Sequence, residues 1–153
     1  MKYIFVAGFF FIVGSLYALS GAFAGLGMEV NANTRDGAAF GGGLSAGLDI
    51  NQQFSFGIKA VVSSGPDAIT SLETAGFFRY YLPFKFTGLF AQAELGAVIF
   101  FEDGKNYPAF LGGAAFGWRY DFNKNWHIEP YVRCGYPFIW GAGFMAGYHF
   151  DFK

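Results

Sequence analysis

From residue 22 onward the chain alternates apolar residues with small or polar ones at a period of two, and turn-forming residues break the alternation at regular intervals. The pattern predicts strands over 22–32, 39–50, 54–63, 71–82, 87–100, 109–121, 126–136 and 140–152. One register of each strand is apolar throughout. In the third it reads Phe54, Phe56, Ile58, Ala60, Val62, in the fifth Leu89, Ala91, Ala93, Leu95, Ala97, Ile99, and in the last Trp140, Ala142, Phe144, Ala146, Tyr148, Phe150. The opposite register holds Glu29, Lys59, Glu73, Arg79, Gln92, Glu94, Arg119, Glu129 and Arg133, so four acids meet four bases. A charge on a lipid-facing midplane position costs about 2–4 kcal/mol, so this segregation is what a bilayer would impose.

Most of these strands run ten to thirteen residues, close to the roughly 9–11 that a tilted membrane strand needs. After residue 20 no uninterrupted apolar run reaches the roughly 18 residues of a spanning helix. A membrane reading therefore requires strands, and only a closed barrel satisfies every backbone group in hydrocarbon. The predicted fold is all-β: a closed eight-stranded antiparallel up-and-down transmembrane β-barrel.

Alternation alone leaves open which face points inward. A soluble secreted lipocalin-like barrel has the same period, with its apolar face around a ligand. Composition favours lipid. Charged residues are 14% of the chain, against roughly 25% in soluble domains, while aromatics reach 22% with 22 Phe. The polar register is otherwise Gly-rich (Gly41, Gly43, Gly47, Gly57, Gly96, Gly113, Gly117, Gly135, Gly143, Gly147), which suits a narrow lumen better than a wetted exterior. Trp118, Tyr120, Trp126, Tyr148, Tyr136 and Trp140 sit near strand ends on the apolar face, the placement of interfacial girdles. The net charge of −1 excludes a basic footprint for nucleic acid.

Met1-Lys2, the apolar stretch Tyr3 to Leu19 and the small residues that follow read as a secretory signal peptide over 1–20. An alternative cleavage site follows Ala24, and 21–153 forms the barrel domain. The connectors Asn51-Gln52-Gln53, Pro83 to Phe86 and Phe122 to Asn125 are short; the other set, near 33–38, 64–70, 101–108 and 137–139, includes the longest. Short periplasmic turns and longer outside loops would put both termini in the periplasm. Four of five prolines fall in these connectors, and the exception, Pro130, predicts a bulge because a closed barrel has no edge to hide a missing N–H.

The chain resembles the small eight-stranded outer-membrane barrels of the OmpA transmembrane domain and OmpX type over nearly all of 21–153. Leu48-Asp49-Ile50-Asn51 and Tyr120-Asp121-Phe122-Asn123 are similar to that family's strand-end aromatic, acid and asparagine pattern, and Gly147-Tyr148-His149-Phe150-Asp151-Phe152 is similar to its terminal aromatic strand. Lys153 departs from the family, whose members usually end on the aromatic. The resemblance implies residence in outer-membrane lipid and recognition by the barrel assembly machinery.

The charges of the polar register are the first candidate constellation. Lys59 with Glu73, and Arg119 with Glu129, lie diagonally across neighbouring strands. An ion-pair network of Glu29, Lys59, Glu73, Arg79, Glu94, Arg119, Glu129 and Arg133 would plug the lumen, while a ring of charge could instead line a narrow conducting path. His127 and His149 are expected to face each other across the last hairpin, near Asp121, Glu129 and Asp151, a candidate site for a transition metal. A lipid-modifying enzyme would need a base beside a hydroxyl, yet Ser63, Ser64, Thr70 and Ser71 fall at the end opposite both His. No cofactor is implied. Cys134, the sole cysteine, excludes an intrachain disulfide and falls on the apolar register. The loop residues placed to meet an extracellular partner are Arg35, Asp36, Asp67, Glu102, Asp103, Lys105, Asn106 and Tyr107. The reading is a non-enzymatic barrel with a structural or surface-interaction role.

Overall fold

The computed structural model describes residues 19–33, 37–65, 69–83 and 88–152. Most of the expected signal segment, and Arg35, Asp36, Asp67 and Lys153, lie outside the described residues. Eight strands follow one another: β1 (Gly21–Asn33), β2 (Gly37–Asp49), β3 (Phe54–Ser64), β4 (Thr70–Tyr81), β5 (Leu89–Glu102), β6 (Lys105–Trp118, resuming beyond Arg119 at Tyr120–Asp121), β7 (Trp126–Tyr136) and β8 (Trp140–Asp151). Each pairs antiparallel with the next, and β1 pairs with β8 from Gly21–Asp151 to Ala32–Trp140, so the sheet closes on itself.

Closure gives each strand one inward and one outward face, and the side chains sort accordingly. Leu26 and Leu95 are each 65% exposed on the outer wall and Phe116 is 48%, whereas Val61, Val98 and Glu129 inside are 2% or less. The apolar register is the outer one, which is the reverse of a lipocalin-like barrel. The inner register is small where large neighbours must cross it. A Cβ on Gly143 or Gly147 would collide with the rings of Tyr131 and His127, so these glycines make room for them.

Two connections differ from expectation. The segment 101–108 is not a long loop but the tip of a hairpin, in which β5 and β6 stay paired to Glu102–Lys105 around Asp103-Gly104. Both turn residues have positive φ, 48° and 74°, the two-residue geometry that Asp-Gly favours. Pro108 therefore lies inside β6, opposite Ile99. It is tolerated because β7 joins β6 only from Gly112 onward, leaving that side of Lys105–Leu111 open.

The bulge expected at Pro130 is absent. The β6–β7 pairs stop at Gly117–Tyr131 and resume at Tyr120–Ile128 in the same register, and β7–β8 pairing runs unbroken from Trp126–Tyr148 to Cys134–Trp140. The ladder lapses opposite Pro130 instead of inserting a residue. Trp126 and Ile128 consequently stay on the outer face while His127 and Glu129 turn inward.

Candidate functional site

Pleating and closure bring the charged inner register of six strands into one lumen, where the side chains form two connected clusters. Towards the end of the loops, Lys59 Nζ lies 2.8 Å from Glu29, 3.5 Å from Glu73 and 3.8 Å from Glu94. Arg133 Nη1 donates to Glu29 (3.0 Å) and Glu73 (2.8 Å), and its Nη2 lies 2.9 Å from Glu94. The Tyr131 hydroxyl donates to Glu29 Oε2 at 2.6 Å, and Asn31 also donates to Glu29. Towards the end of the termini, Glu129 Oε1 accepts from Arg119 Nε (2.6 Å) and Arg79 Nη1 (2.9 Å), with His127 Nε2 at 3.5 Å. Gln92 joins the clusters, accepting from Arg79 Nε (2.8 Å) and donating to Glu94 Oε1 (2.7 Å).

All eight charged side chains are buried. Their balance is uneven. The loop-side cluster sets three carboxylates against two cations, and the terminus-side cluster sets one carboxylate against two guanidiniums. Aromatic faces moderate the surplus positive charge: Arg79 lies 4.0 Å from the Phe90 ring centroid and Arg119 lies 4.7 Å from that of Phe23.

Beyond the ion pairs at the loop end, an apolar cluster occupies the lumen. Phe138, between β7 and β8, folds inward and packs with Ala75, Val98 and Leu111, its ring 6.0 Å edge-on from Phe100. The opposite end is open. A cavity of about 590 Å³ enters between the short turns, lined by Asp49, Asn51, Tyr81, Arg119, Asp121, His149 and Asp151 among others. A trough of about 840 Å³ on the outer wall, between Leu26, Ile58 and Trp126, is apolar.

The two histidines do not face each other. The β7–β8 hairpin sets Trp126 opposite Tyr148, so His127 opposes Gly147, and His149 falls beyond the end of β7, its backbone N–H bonded to Asn125 O at 2.6 Å. Each imidazole has its own carboxylates: His127 meets Glu129, while His149 sits between Asp49 (2.7 Å) and Asp151 (3.2 Å). Among the described residues, no group of three or more His, Cys, Asp or Glu is arranged to hold a metal ion. Ser55, Asp49 and His149 are the residue types of a hydrolytic triad in the wrong order. The Ser55 hydroxyl donates to the carboxylate of Asp49, which also meets His149, so no imidazole stands beside the hydroxyl to accept its proton. Ser63 pairs with Ser71 at the loop end, remote from both His. Glu102, Asp103, Lys105, Asn106 and Tyr107 are exposed together on the β5–β6 hairpin. Cys134 is exposed on the outer wall.

Tyr131 and Phe23 were legible as inward positions by parity alone. Phe138 carried no periodic signal, because a residue in a three-residue connection has no register to read.

No protein-family model and no curated protein matches the chain. Solved structures do. Neisserial surface protein A is similar with a TM-score of 0.58 at 14% identity, over 86% of this chain and 96% of that one. The outer membrane protein OprG from Pseudomonas aeruginosa gives 0.58 at 13% identity, over 88% and 98%. The N-terminal β-barrel domain of Pseudomonas aeruginosa OprF gives 0.56 at 13%, over 86% and 99%. The chain therefore has the fold of the small eight-stranded outer-membrane barrels.

Proposed function

We propose that the protein is an integral outer-membrane β-barrel with a structural or surface-interaction role and a lumen plugged by ion pairs, not an enzyme and not an open pore. The observation that carries the reading is the inversion of a soluble protein: hydrocarbon side chains cover the outer wall, and four acids and four bases are buried against one another inside. Buried charge of this kind is stable only when paired, and the paired side chains of Lys59 and Arg133 lie across the lumen below Phe138. The shared fold of solved outer-membrane barrels supports the location.

In this reading the signal segment directs export, the barrel assembly machinery inserts the chain, and the short turns and both termini face the periplasm. The β5–β6 tip, with Glu102, Asp103, Lys105, Asn106 and Tyr107, and the loop residues Arg35, Asp36 and Asp67 then face outward, where a surface partner would meet them. The test is a pair of measurements on refolded protein in lipid vesicles. Bimane labels at Phe56, Leu95 and Phe116 are expected to be quenched by brominated acyl chains and not by aqueous iodide. Glu94→Ala is expected to leave planar-bilayer conductance negligible. Aqueous quenching at the labels, or discrete channel openings in either protein, overturns the reading.

A further inference from the structure

The apolar trough on the outer wall follows from one row of strand partners. Trp126, Tyr148, Ala24, Ala46 and Ile58 lie side by side across β7, β8, β1, β2 and β3, all with outward parity. Two alanines therefore sit between a pair of rings and an isoleucine, while Leu26 and Leu44 project beside them on the loop side. The hollow that remains is about 840 Å³, the size of a small-molecule site. Its aromatic rim adds polar chemistry. Trp126 and Tyr148 pack edge to face, ring centroids 5.2 Å apart, and among the described residues neither the indole N–H nor the phenol O–H has a hydrogen-bond partner. Such rings present an apolar body and a donor that seeks an acceptor.

On the reading proposed above, this wall faces hydrocarbon, where contact releases no water. Only close packing and hydrogen bonds then distinguish one place on the wall from another. A flat stretch touches an acyl chain on one side, whereas the trough touches it on its floor and its flanks. We propose that the trough holds one phospholipid of the periplasmic leaflet, an acyl chain over Ala24 and Ala46 and its ester or phosphate oxygens accepting from Trp126 and Tyr148. A phospholipid is the occupant because it joins both halves of the site's chemistry, a hydrocarbon chain and, at one end of it, oxygen acceptors.

The test uses the mature protein refolded in palmitoyl-oleoyl-phosphatidylcholine vesicles, extracted into detergent and read by native mass spectrometry, with heat-modifiable gel migration showing that each variant is folded. One phospholipid is expected to stay on each barrel. Ala46→Phe, on the exposed outer wall, fills the trough and is expected to abolish that retention. Ala93→Phe, also exposed on the outer wall but outside the trough, is expected to leave it unchanged. Trp126→Phe keeps a ring and removes a donor, and is expected to weaken retention about fivefold, one ordinary hydrogen bond. No retained phospholipid in the parent protein, equal retention in Ala46→Phe, loss in Ala93→Phe or unchanged retention in Trp126→Phe overturns the proposal. A dimer that Ala46→Phe dissociates overturns it too, by assigning the trough to a second copy of the chain. Quenching of the Phe56 and Leu95 labels by brominated chains with no retained phospholipid strikes the trough alone, whereas aqueous quenching strikes the membrane reading with it.

Discussion

Glu129→Gln is the sharpest probe of the lumen, because Glu129 is the single carboxylate between two buried guanidiniums. At an effective dielectric near about 20, unit charges roughly 4 Å apart attract by about 4 kcal/mol, and the substitution removes two such attractions. Against this stands the desolvation of the carboxylate itself, several kcal/mol that the amide does not incur. Arg79 keeps its bonds to Gln92 and Tyr81 and its stacking on Phe90, so most of the loss falls on Arg119. The net expectation is a destabilisation of about 3–5 kcal/mol, the range for breaking a buried pair. Glu94→Gln makes the control. It neutralises one of three carboxylates shared by Lys59 and Arg133, where negative charge is already in excess, and keeps an oxygen for the Gln92 amide. It is expected to cost about 1 kcal/mol, one ordinary hydrogen bond. The assay is urea titration of vesicle-refolded protein, scored by heat-modifiable gel migration. Equal costs for the two variants, or Glu94→Gln the more damaging, would refute the uneven charge balance.

Two further outcomes are expected. Gly104→Ala meets only the left-handed backbone penalty, about 1–2 kcal/mol, because its side chain would point into open space; Gly88→Ala adds a collision with the Arg119 carbonyl oxygen and is expected to cost at least twice as much in the same titration. Mass spectrometry of the exported protein is expected to begin at Gly21: cleavage after Ala24 would remove four paired residues of β1 and the Phe23 ring under Arg119, and a mature chain beginning at Gly25 would overturn that expectation.

The alternation of Phe54 through Val62 against Lys59 made strand existence and facing legible, since a period of two leaves no choice once one face must avoid charge. Counting registers also put Glu73 diagonal to Lys59, whereas Arg119, expected diagonal to Glu129, falls directly opposite it in the β6–β7 register. What escaped sequence reasoning lies where periodicity stops or fails to specify spacing. Pro130 suggested a bulge because local chemistry demands one, but β7 is held in register by β8 from Trp126 to Cys134, and the ladder to β6 yields instead. Asp103-Gly104 was visible as a turn signal, yet not the length of ribbon it ends.

By itself, the order of residues determined that this chain forms strands with one apolar and one charged face, because a period of two leaves each residue only one of two sides to occupy. The tertiary structure alone decided which charges meet across the lumen. Glu29 and Arg133 are far apart in sequence and on strands that are not neighbours, so only the radius and shear of the closed barrel bring them to 3.0 Å. Closure likewise decided that the polar interior is capped at one end by Phe138 and open at the other, a difference no local pattern encodes.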